Sequence, residues 1–273
     1  KFSPRLHFNL IYRSSKNQQI RLGCPIGNGY LRIDQLNEVE QQIDSLQIRR
    51  GNPHQKIAFQ TTPMITYSGQ FGRFNIGANL LYNVINNATV EYFYMENDRL
   101  IRTFRSEGKH RSFTSQLSGA WKVTDNLRIK LAGNWVYVKY KSTPEELKYF
   151  SGSAQIDYYW SDFSCGVFAK SRTKWLNLNL MRGAEPFQYG GYVSWTHHNW
   201  HIEGGFRNLF VRHSKKESVM DRGVYRYENV AISKLDQQTG YIKVAYTFDF
   251  GKKISRDNSN IDKVINSAIL KTN

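Results

Sequence analysis

The stretch YIKVAYTFDFG, Tyr241–Gly251, shows the alternation that decides the fold. Apolar or aromatic residues recur at every second position, and the positions between them are mainly polar or small. A period of two is typical of a β-strand with one apolar and one polar face. Such a strand can belong to a soluble sheet or to the wall of a membrane β-barrel, so the remainder of the chain has to distinguish these cases.

The same alternation recurs along the whole chain of 273 residues. The spans are about 9 to 14 residues long, which is enough for a tilted transmembrane strand. Together with the last strand we count about eleven spans. The clearest cover residues 5–12, 57–67, 74–84, 113–123, 127–137, 150–160 and 200–210, and residues 20–36, 163–171 and 188–197 follow the pattern less regularly.

The connections between these spans are of two kinds. Short turns at 69–73, 124–126, 161–162 and 197–199 alternate with long polar stretches at about 37–54, 87–111, 141–149, 172–187 and 211–239. This asymmetry is typical of an outer-membrane barrel, which has short periplasmic turns and long extracellular loops. The alternative, a soluble β-sandwich or lipocalin-like barrel, would have short connections at both ends of its sheet. The pattern therefore predicts an all-β fold, an antiparallel transmembrane β-barrel.

Composition agrees with this interpretation. No stretch approaches the roughly 18 consecutive apolar residues of a transmembrane helix, and a mean hydropathy of -0.58 fits a barrel with a polar lumen. Aromatic residues make up 14% of the chain, and many lie near the ends of predicted strands, as in an interfacial girdle. Examples are Tyr82, Trp121, Trp135, Tyr137, Trp160, Trp200 and Phe248.

The formal net charge of +16 raises the question of a nucleic-acid partner. The basic residues are spread along most segments without a nucleic-acid-binding motif, so this class is not favoured. Basic side chains on a barrel have another natural partner in the phosphates of surface lipids or in an anionic solute. The two cysteines, Cys24 and Cys165, predict neither a disulfide framework nor a sulfur-ligated metal site.

Two stretches resemble a known family, the TonB-dependent receptors. The first is RRGNPHQKIAFQTTPMITYSGQFGRFNIGANLLYNVINNATVEYFY (residues 49–94), in which Gly51, Asn52 and Pro53 open a strand that is followed by a hairpin and an extracellular excursion. The second is the ending YTFDFGKKISR with NSAILK (residues 266–271), which resembles the last strand and tail of the nutrient-importing relatives of starch-utilisation porins. The resemblance covers the chain from about Arg32 to the end.

This resemblance has implications for architecture and partners. About eleven spans are half of a 22-stranded barrel, so residues 1–251 are expected to form the C-terminal half of the barrel and residues 252–273 a polar periplasmic tail. Neither a plug nor a TonB box is found in residues 1–40. The implied partners in the outer membrane of a Gram-negative bacterium are lipid and lipopolysaccharide, the remaining barrel and plug, the TonB complex through that plug, and a surface lipoprotein. The alternative is a small complete outer-membrane barrel that acts as an adhesin, porin or surface enzyme.

The last strand carries candidate assembly residues. In outer-membrane barrels this strand is the signal for the assembly machinery, and Lys243, Ala245, Phe248 and Phe250 match its positions. The alternative is that Phe248 and Phe250 serve only as lipid-facing anchors.

The segment Ala88–Gly108 carries the candidate ligand contacts. Its aromatic residues Tyr92, Phe93 and Tyr94 could stack on a sugar or an aromatic chelate. Its basic residues Arg99, Arg102 and Arg105 could hold anionic groups. The alternative is a strand pair, residues 89–96 and 99–106, that extends the barrel wall.

The sequence contains no persuasive catalytic arrangement. His197, His198 and His201 cluster around a short turn, and Asp98, Glu107 and His110 share a mixed-charge loop. The histidines could ligate a metal through imidazole, but no Cys or carboxylate lies at ligand spacing except Glu203, so a polar turn is favoured. The second group could supply the carboxylate and histidine pair of an outer-membrane protease, but a solvated loop is favoured, because any loop of this length contains such residues. No Gly-rich phosphate loop or Gly-x-Ser-x-Gly elbow occurs. The sequence therefore predicts no enzyme, no cofactor and no metal site.

Overall fold

The alternating segments form long antiparallel strands. The computed structural model describes residues 5–141, 143–212, 214–232 and 237–248, and contains the short helix α1 (Ile33–Leu36). In chain order the strands are β1 (Arg5–Ser15), β2 (Gln18–Asn28), β3 (Gln41–Gln42), β4 (Gln47–Arg49), β5 (Phe59–Thr61), β6 (Met64–Phe71), β7 (Phe74–Asn86), β8 (Ala88–Glu96), β9 (Arg99–Glu107), β10 (His110–Lys122), β11 (Leu127–Tyr140), β12 (Glu146–Trp160), β13 (Phe163–Lys170), β14 (Thr173–Leu176), β15 (Arg182–Glu185), β16 (Gln188–His197), β17 (Trp200–Arg207), β18 (Lys215–Asp221), β19 (Arg226–Ile232) and β20 (Thr239–Tyr246). Within the described ranges no helix has the length and apolar character that a membrane crossing requires.

Twelve of these strands form one antiparallel sheet in the order β1-β2-β5-β7-β10-β11-β12-β13-β16-β17-β20, with β6 between β2 and β7. Strands β5 and β6 both lie between β2 and β7 and together form one strand that is interrupted at Pro63, which has no backbone N–H to donate to a neighbour. If β5 and β6 are counted as one strand, the described sheet has eleven strands, as the sequence predicts. Its outermost strands, β1 and β20, each pair with one neighbour among the described residues.

The register keeps the two faces of this sheet chemically separate. On the polar face, which we call the lumen face, Asn79, Gln116, Asn134 and Ser151 lie in one cross-strand row. On the opposite, apolar face, the side chains remain uncovered: Leu131 is 58% exposed and Phe150 is 66% exposed. A soluble sheet would pack its apolar face against another layer, and no second layer covers this face among the described residues.

Aromatic side chains mark both ends of the apolar face. Towards the short turns Phe74 stacks on Trp121, with ring centroids 5.1 Å apart. Towards the long connections Phe113 meets Trp135 edge to face at 5.5 Å. The nine residues from Phe113 to Trp121 span roughly 26 Å along β10, or roughly 20 Å along the membrane normal at the usual strand tilt, which is most of the height of a lipid-facing apolar band.

The two ends of the sheet differ as predicted. Two-residue turns with a positive φ at Gly72, Ser161 or His198 close one end. Four of the predicted long connections contain small strands of their own at the other end. The fifth prediction, a long stretch at 141–149, is wrong, because β12 already begins at Glu146 and pairs with β11.

Two further expectations differ from the structure in the first long connection. The predicted span at 20–36 is too long, because β2 ends at Asn28 and Ile33–Leu36 form the short helix α1 instead. Gly51, Asn52 and Pro53 do not open a strand, since the next one begins at Phe59. Instead, Gly51 packs against the backbone of Asn37, and a Cβ atom at this position would overlap with that backbone. The glycine therefore allows two parts of the connection to approach each other closely.

Candidate ligand-facing surface

The long connections fold into two small sheets that we call the outer cap. One is β3-β4-β9-β8 and the other is β14-β15-β18-β19. The hairpin β8–β9 turns at Asn97 and Asp98, which both have positive φ, the geometry of a type I′ turn whose twist matches its strands. The strand pair at 89–96 and 99–106, which the sequence analysis gave as the alternative to a ligand-binding loop, is therefore present, but it belongs to a small sheet separate from the barrel wall. All six candidate ligand residues lie on this hairpin.

The three consecutive aromatic residues of β8 lie on different faces of this hairpin, because successive side chains of a strand alternate. Phe93 points to the face that carries Arg102, its cross-strand neighbour, whereas Tyr92 and Tyr94 point to the opposite face. Phe93 is 4% exposed and stacks on Tyr225, with ring centroids 4.3 Å apart. Phe93 is thus mainly a packing residue of the outer cap, and it borders the cavity described below with little of its ring exposed.

Glu91 joins the hairpin to the rest of the cap. Its carboxylate accepts a hydrogen bond from Arg102. Its backbone carbonyl accepts a second from Arg222 at 3.0 Å, and its N–H donates to Asn179 Oδ1 at 3.2 Å. Arg102 is therefore neutralised within the cap, and its geometry supports a structural role.

A second arginine, Arg50, fixes the outer edge of the hairpin. Its guanidinium donates to the hydroxyl of Tyr94 and to the carboxylates of Glu96 and Glu40, at 3.1 and 3.2 Å respectively. The hydrogen bond to Tyr94 and the charge of Glu96 raise the pKa of Arg50, so this group stays protonated. Tyr94 is thereby held by an arginine that sequence reasoning did not single out.

The remaining candidates face open space. The guanidinium of Arg105 lies 3.2 Å from the ring centroid of Tyr92, a cation–π contact. Both side chains line a cavity of about 430 Å³ together with Arg222, Asp221 and Glu145. Arg99 is exposed at the tip of the hairpin. A stacked tyrosine beside two arginines can accept an aromatic ring and an anionic group at once.

The lumen face holds a second, larger cavity near the short turns. It measures about 810 Å³, and its charged lining residues among the described part of the chain are Arg13, Lys16, Lys130 and Lys170. All four are basic. Lys130 is paired with the Asp157 carboxylate at 2.9 Å, and the remaining positive charge at this end of the lumen face attracts acidic groups. No local motif marks this cavity, because its lining is contributed by nine strands and one turn that only the sheet brings together.

The histidine-containing turn is held by local contacts. His197 Nδ1 lies 2.6 Å from Asp162 Oδ2 on the neighbouring turn, and His201 Nδ1 lies 2.8 Å from Thr196 Oγ1. Among the described residues no group of three or more potential metal ligands occurs.

Three of the four candidate assembly residues lie within the described chain. Lys243 and Ala245 are on the lumen face of β20, opposite Glu203 and His201. Phe248 follows the strand and meets Tyr246 edge to face at 4.7 Å. Phe250 and the predicted tail at 252–273 lie outside the described residues.

Sequence reasoning did not find Arg222 and Tyr225. They belong to the connection between β17 and β20, and 131 positions separate Arg222 from Glu91, its hydrogen-bond acceptor. No local pattern in that connection signals the contact, since it depends on which loops the sheet places side by side.

Comparison with known proteins identifies the fold. No protein-family model and no curated protein matches the chain. Three solved structures are similar: the copper transporter OprC (TM-score 0.68, 10% identity, 90% of this chain and 40% of that chain), the FrpB iron transporter from Neisseria meningitidis (0.61, 10%, 89% and 38%), and the ferric enterobactin receptor PfeA from Pseudomonas aeruginosa (0.60, 13%, 90% and 40%).

These structures are TonB-dependent receptors, so the comparison confirms the predicted fold, an antiparallel β-barrel wall of that kind. The chain spans about 40% of the length of the structures it matches.

Proposed function

We propose that this chain furnishes part of the wall and of the outer cap of an outer-membrane TonB-dependent receptor that imports a nutrient. One observation carries the proposal: a continuous apolar face stays exposed between two aromatic rows, opposite a polar lumen face. Water would disfavour such a face, and the hydrocarbon core of a bilayer would cover it. The short turns then face the periplasm and the outer cap faces the exterior.

The remainder of the receptor supplies the missing partners. We propose that β1 and β20 pair with further strands, because an open edge is not stable in lipid. The matched length of about 40% fits the C-terminal half of a receptor whose other part holds the plug and further strands. The basic cavity on the lumen face then receives acidic or polar groups of the plug, through which TonB would act. A surface lipoprotein would contact the outer cap.

The proposed ligand surface is the cavity beside Tyr92, Arg105 and Arg222. Its chemistry suits an anionic nutrient or chelate, preferably one with an aromatic or sugar ring. The solved structures include transporters of copper and iron and a ferric enterobactin receptor, and these transport and receptor functions support the proposal. Transport by the assembled barrel, and not catalysis, is the proposed role of these residues.

The first test is the intact mass of the native polypeptide extracted in detergent from outer membranes. We expect a mass well above 31.9 kDa, with a plug and further strands in the same protein. A mass near 31.9 kDa without a co-purifying barrel chain would contradict the receptor proposal and favour a small self-closing barrel with an adhesin, porin or surface-enzyme role. Absence from the outer-membrane fraction would contradict both.

The ligand surface is tested by substitutions on the two faces of one hairpin. The double variant Tyr92→Ala/Arg105→Gln removes exposed groups, so we expect a loss of uptake at an unchanged level of protein. The control Phe93→Ala deletes a buried ring, which typically costs about 3 to 5 kcal/mol, and should loosen the cap, as detected by limited proteolysis. Unchanged uptake by the double variant at wild-type protein levels would exclude these residues from ligand binding.

A further inference from the structure

A second cavity of the outer cap lies between its two small sheets and measures about 330 Å³. Most of its lining is apolar or aromatic, and we call it the methionine cavity after the two thioethers that border it. These lining side chains are Phe93, Met181, Met220, Tyr225 and Tyr227. A mainly apolar lining with a few polar groups is typical of pockets that bind small molecules.

The methionine cavity carries no net charge. Within the described chain its charged lining residues are Glu91 and Arg102, and the Arg102 guanidinium donates a hydrogen bond to the Glu91 carboxylate. The two side chains are 34% (Arg102) and 15% (Glu91) exposed. An anion in this cavity would meet the Glu91 carboxylate as well as Arg102, so the cavity does not favour an anionic group.

Besides this ion pair, few polar groups of the lining are available to a ligand. Asn179 Oδ1 already accepts the Glu91 N–H at 3.2 Å. The described lining then offers the amide nitrogen of Asn179 and the hydroxyls of Tyr225 and Tyr227. A sugar carries a hydroxyl on almost every carbon, and each hydroxyl that is buried without a partner costs free energy. An aromatic ring carries no such cost, and it packs well against methionine sulfur and tyrosine rings.

The methionine cavity adjoins the cavity beside Tyr92 and Arg105, which we call the anion cavity. Phe93 borders both cavities. Met220 borders the methionine cavity, and Arg222, two positions further on, borders the anion cavity. The edge strand β8 lies between them, so the two cavities are roughly one strand spacing of 5 Å apart. A single small molecule can therefore reach into both.

The anion cavity supplies the positive charge that the methionine cavity lacks. Its arginines are Arg105 and Arg222, and its carboxylates are Glu145 and Asp221. Glu145 accepts a hydrogen bond from a third arginine, Arg182. Three guanidinium groups thus accompany two carboxylates, and one positive charge remains in excess.

We infer that the methionine cavity binds an apolar ring of the ligand whose anionic group lies in the anion cavity. The imported nutrient is then an amphipathic aromatic anion, and not a sugar or a glycan. The inference rests on the proposed function, since it extends the ligand surface proposed there.

The test compares three soluble anions that share a sulfate or sulfonate group: inorganic sulfate, glucose 6-sulfate and naphthalene-2-sulfonate. Their binding to the full native protein in non-ionic detergent is measured by isothermal titration calorimetry against a detergent blank. We expect naphthalene-2-sulfonate to bind roughly tenfold more tightly than the other two, because its ring gains affinity from the apolar area that it buries. Equal affinities for naphthalene-2-sulfonate and glucose 6-sulfate, or no binding of any probe, would overturn the inference.

Substitutions distinguish the two cavities. Tyr227→Ala removes an aromatic wall of the methionine cavity and should lower the affinity for naphthalene-2-sulfonate roughly fivefold, with sulfate binding unchanged. Tyr227→Phe keeps the ring and should bind as the wild type does, as should Val230→Ala, an exposed position of the same strand that borders neither cavity. Arg105→Gln should weaken the binding of all three anions. Wild-type affinity of Tyr227→Ala for naphthalene-2-sulfonate, or an equal loss in Val230→Ala, would place the ring elsewhere.

Oxidative footprinting tests the same location without a substitution. Naphthalene-2-sulfonate should slow the oxidation of Met181 by hydroxyl radicals, as read by mass spectrometry, and sulfate should not. Met95 is 53% exposed and borders neither cavity, so it is the reference within the same sample. Equal protection of Met181 and Met95, or protection of neither, would refute the proposed location.

These outcomes are separable from the proposed function. A protein that is found in the outer membrane but leaves Met181 unprotected refutes only the methionine cavity. Sulfate binding that does not respond to Arg105→Gln contradicts the proposed ligand surface and this inference together. Absence from the outer membrane contradicts the receptor itself.

Discussion

At the scale of single residues, glycine and tyrosine pair across the strands of the lumen face. Gly166 pairs with Tyr192, whose ring crosses it so that the hydroxyl donates to Asp157 Oδ1 at 3.0 Å. Asp157 is 1% exposed, and its other oxygen lies 2.9 Å from the Lys130 ammonium. The glycine leaves room for the ring, and the ring covers backbone that the glycine would otherwise expose.

We therefore expect Gly166→Ala to destabilise the barrel, because the new methyl group would overlap the Tyr192 ring and break the bond to Asp157. Overpacking of this kind costs about 1 to 3 kcal/mol. The matched control is Gly204→Ala two strands away, where no atom lies within 4 Å of the added group. Denaturant unfolding of the full-length protein in detergent, followed by tryptophan fluorescence, measures the difference. Equal unfolding midpoints for the two variants would show that the packing of the Tyr192 ring does not require a glycine at position 166.

At the scale of elements, adjacent residues of one strand meet different surroundings. On β11, Leu131 lies on the exposed apolar face between the aromatic rows, and Ala132 lies on the lumen face beside the large cavity. Since successive side chains of a strand point to opposite faces, these neighbours differ in environment although they share the same backbone. Substitutions at Leu131 and Ala132 can therefore test which face of the sheet contacts lipid.

We expect Leu131→Arg to lower the free energy of unfolding in a bilayer by about 2 to 4 kcal/mol, the cost of a charge near the bilayer midplane. Ala132→Arg should cost much less, because the lumen face is polar and has space. The readout is the free energy of folding into lipid vesicles, together with the folded fraction in outer membranes judged by heat-modifiable gel mobility. If the two substitutions cost the same, or if Ala132→Arg costs more, the assignment of the faces is wrong.

At the scale of the whole molecule, the sheet is an open wall. Strand β1 is exposed along its entire length and, within the part of the chain that the structure describes, pairs with β2 alone, whereas β10 and β11 are paired on both sides. An edge of unpaired backbone groups is a template for further pairing. The proposed function requires strands from the rest of the receptor to occupy this edge and that of β20.

Hydrogen exchange of the full-length protein tests this closure. We expect the amides of β1 and β20 to exchange as slowly as those of β10 and β11, because every N–H of a closed barrel has a partner. The inner strands provide the reference within the same sample. Fast exchange at every second amide of β1, beside slow exchange in β10, would show that the edge stays open in the complete protein.

The sequence by itself determined the repeating part of the molecule. The period of two assigned each strand its faces, and the turn lengths identified the two ends of the sheet. The count of about eleven spans followed from the same pattern, because strand pairing and alternation are short-range properties that polar and apolar side chains record directly. The hairpin β8–β9 was also predictable, since its alternating strands flank the turn at Asn97 and Asp98.

Only the tertiary structure decided the roles of side chains in the outer cap. The sequence grouped Phe93 with Tyr92 and Tyr94, but Phe93 is buried against Tyr225. The sequence pattern did not distinguish Arg102 from Arg105. In the structure Arg102 is paired with Glu91, whereas the guanidinium of Arg105 stacks on the Tyr92 ring and lines a cavity. These differences arise because the order of strands brings distant connections together, and a contact between residues 131 positions apart leaves no periodic signal in the chain.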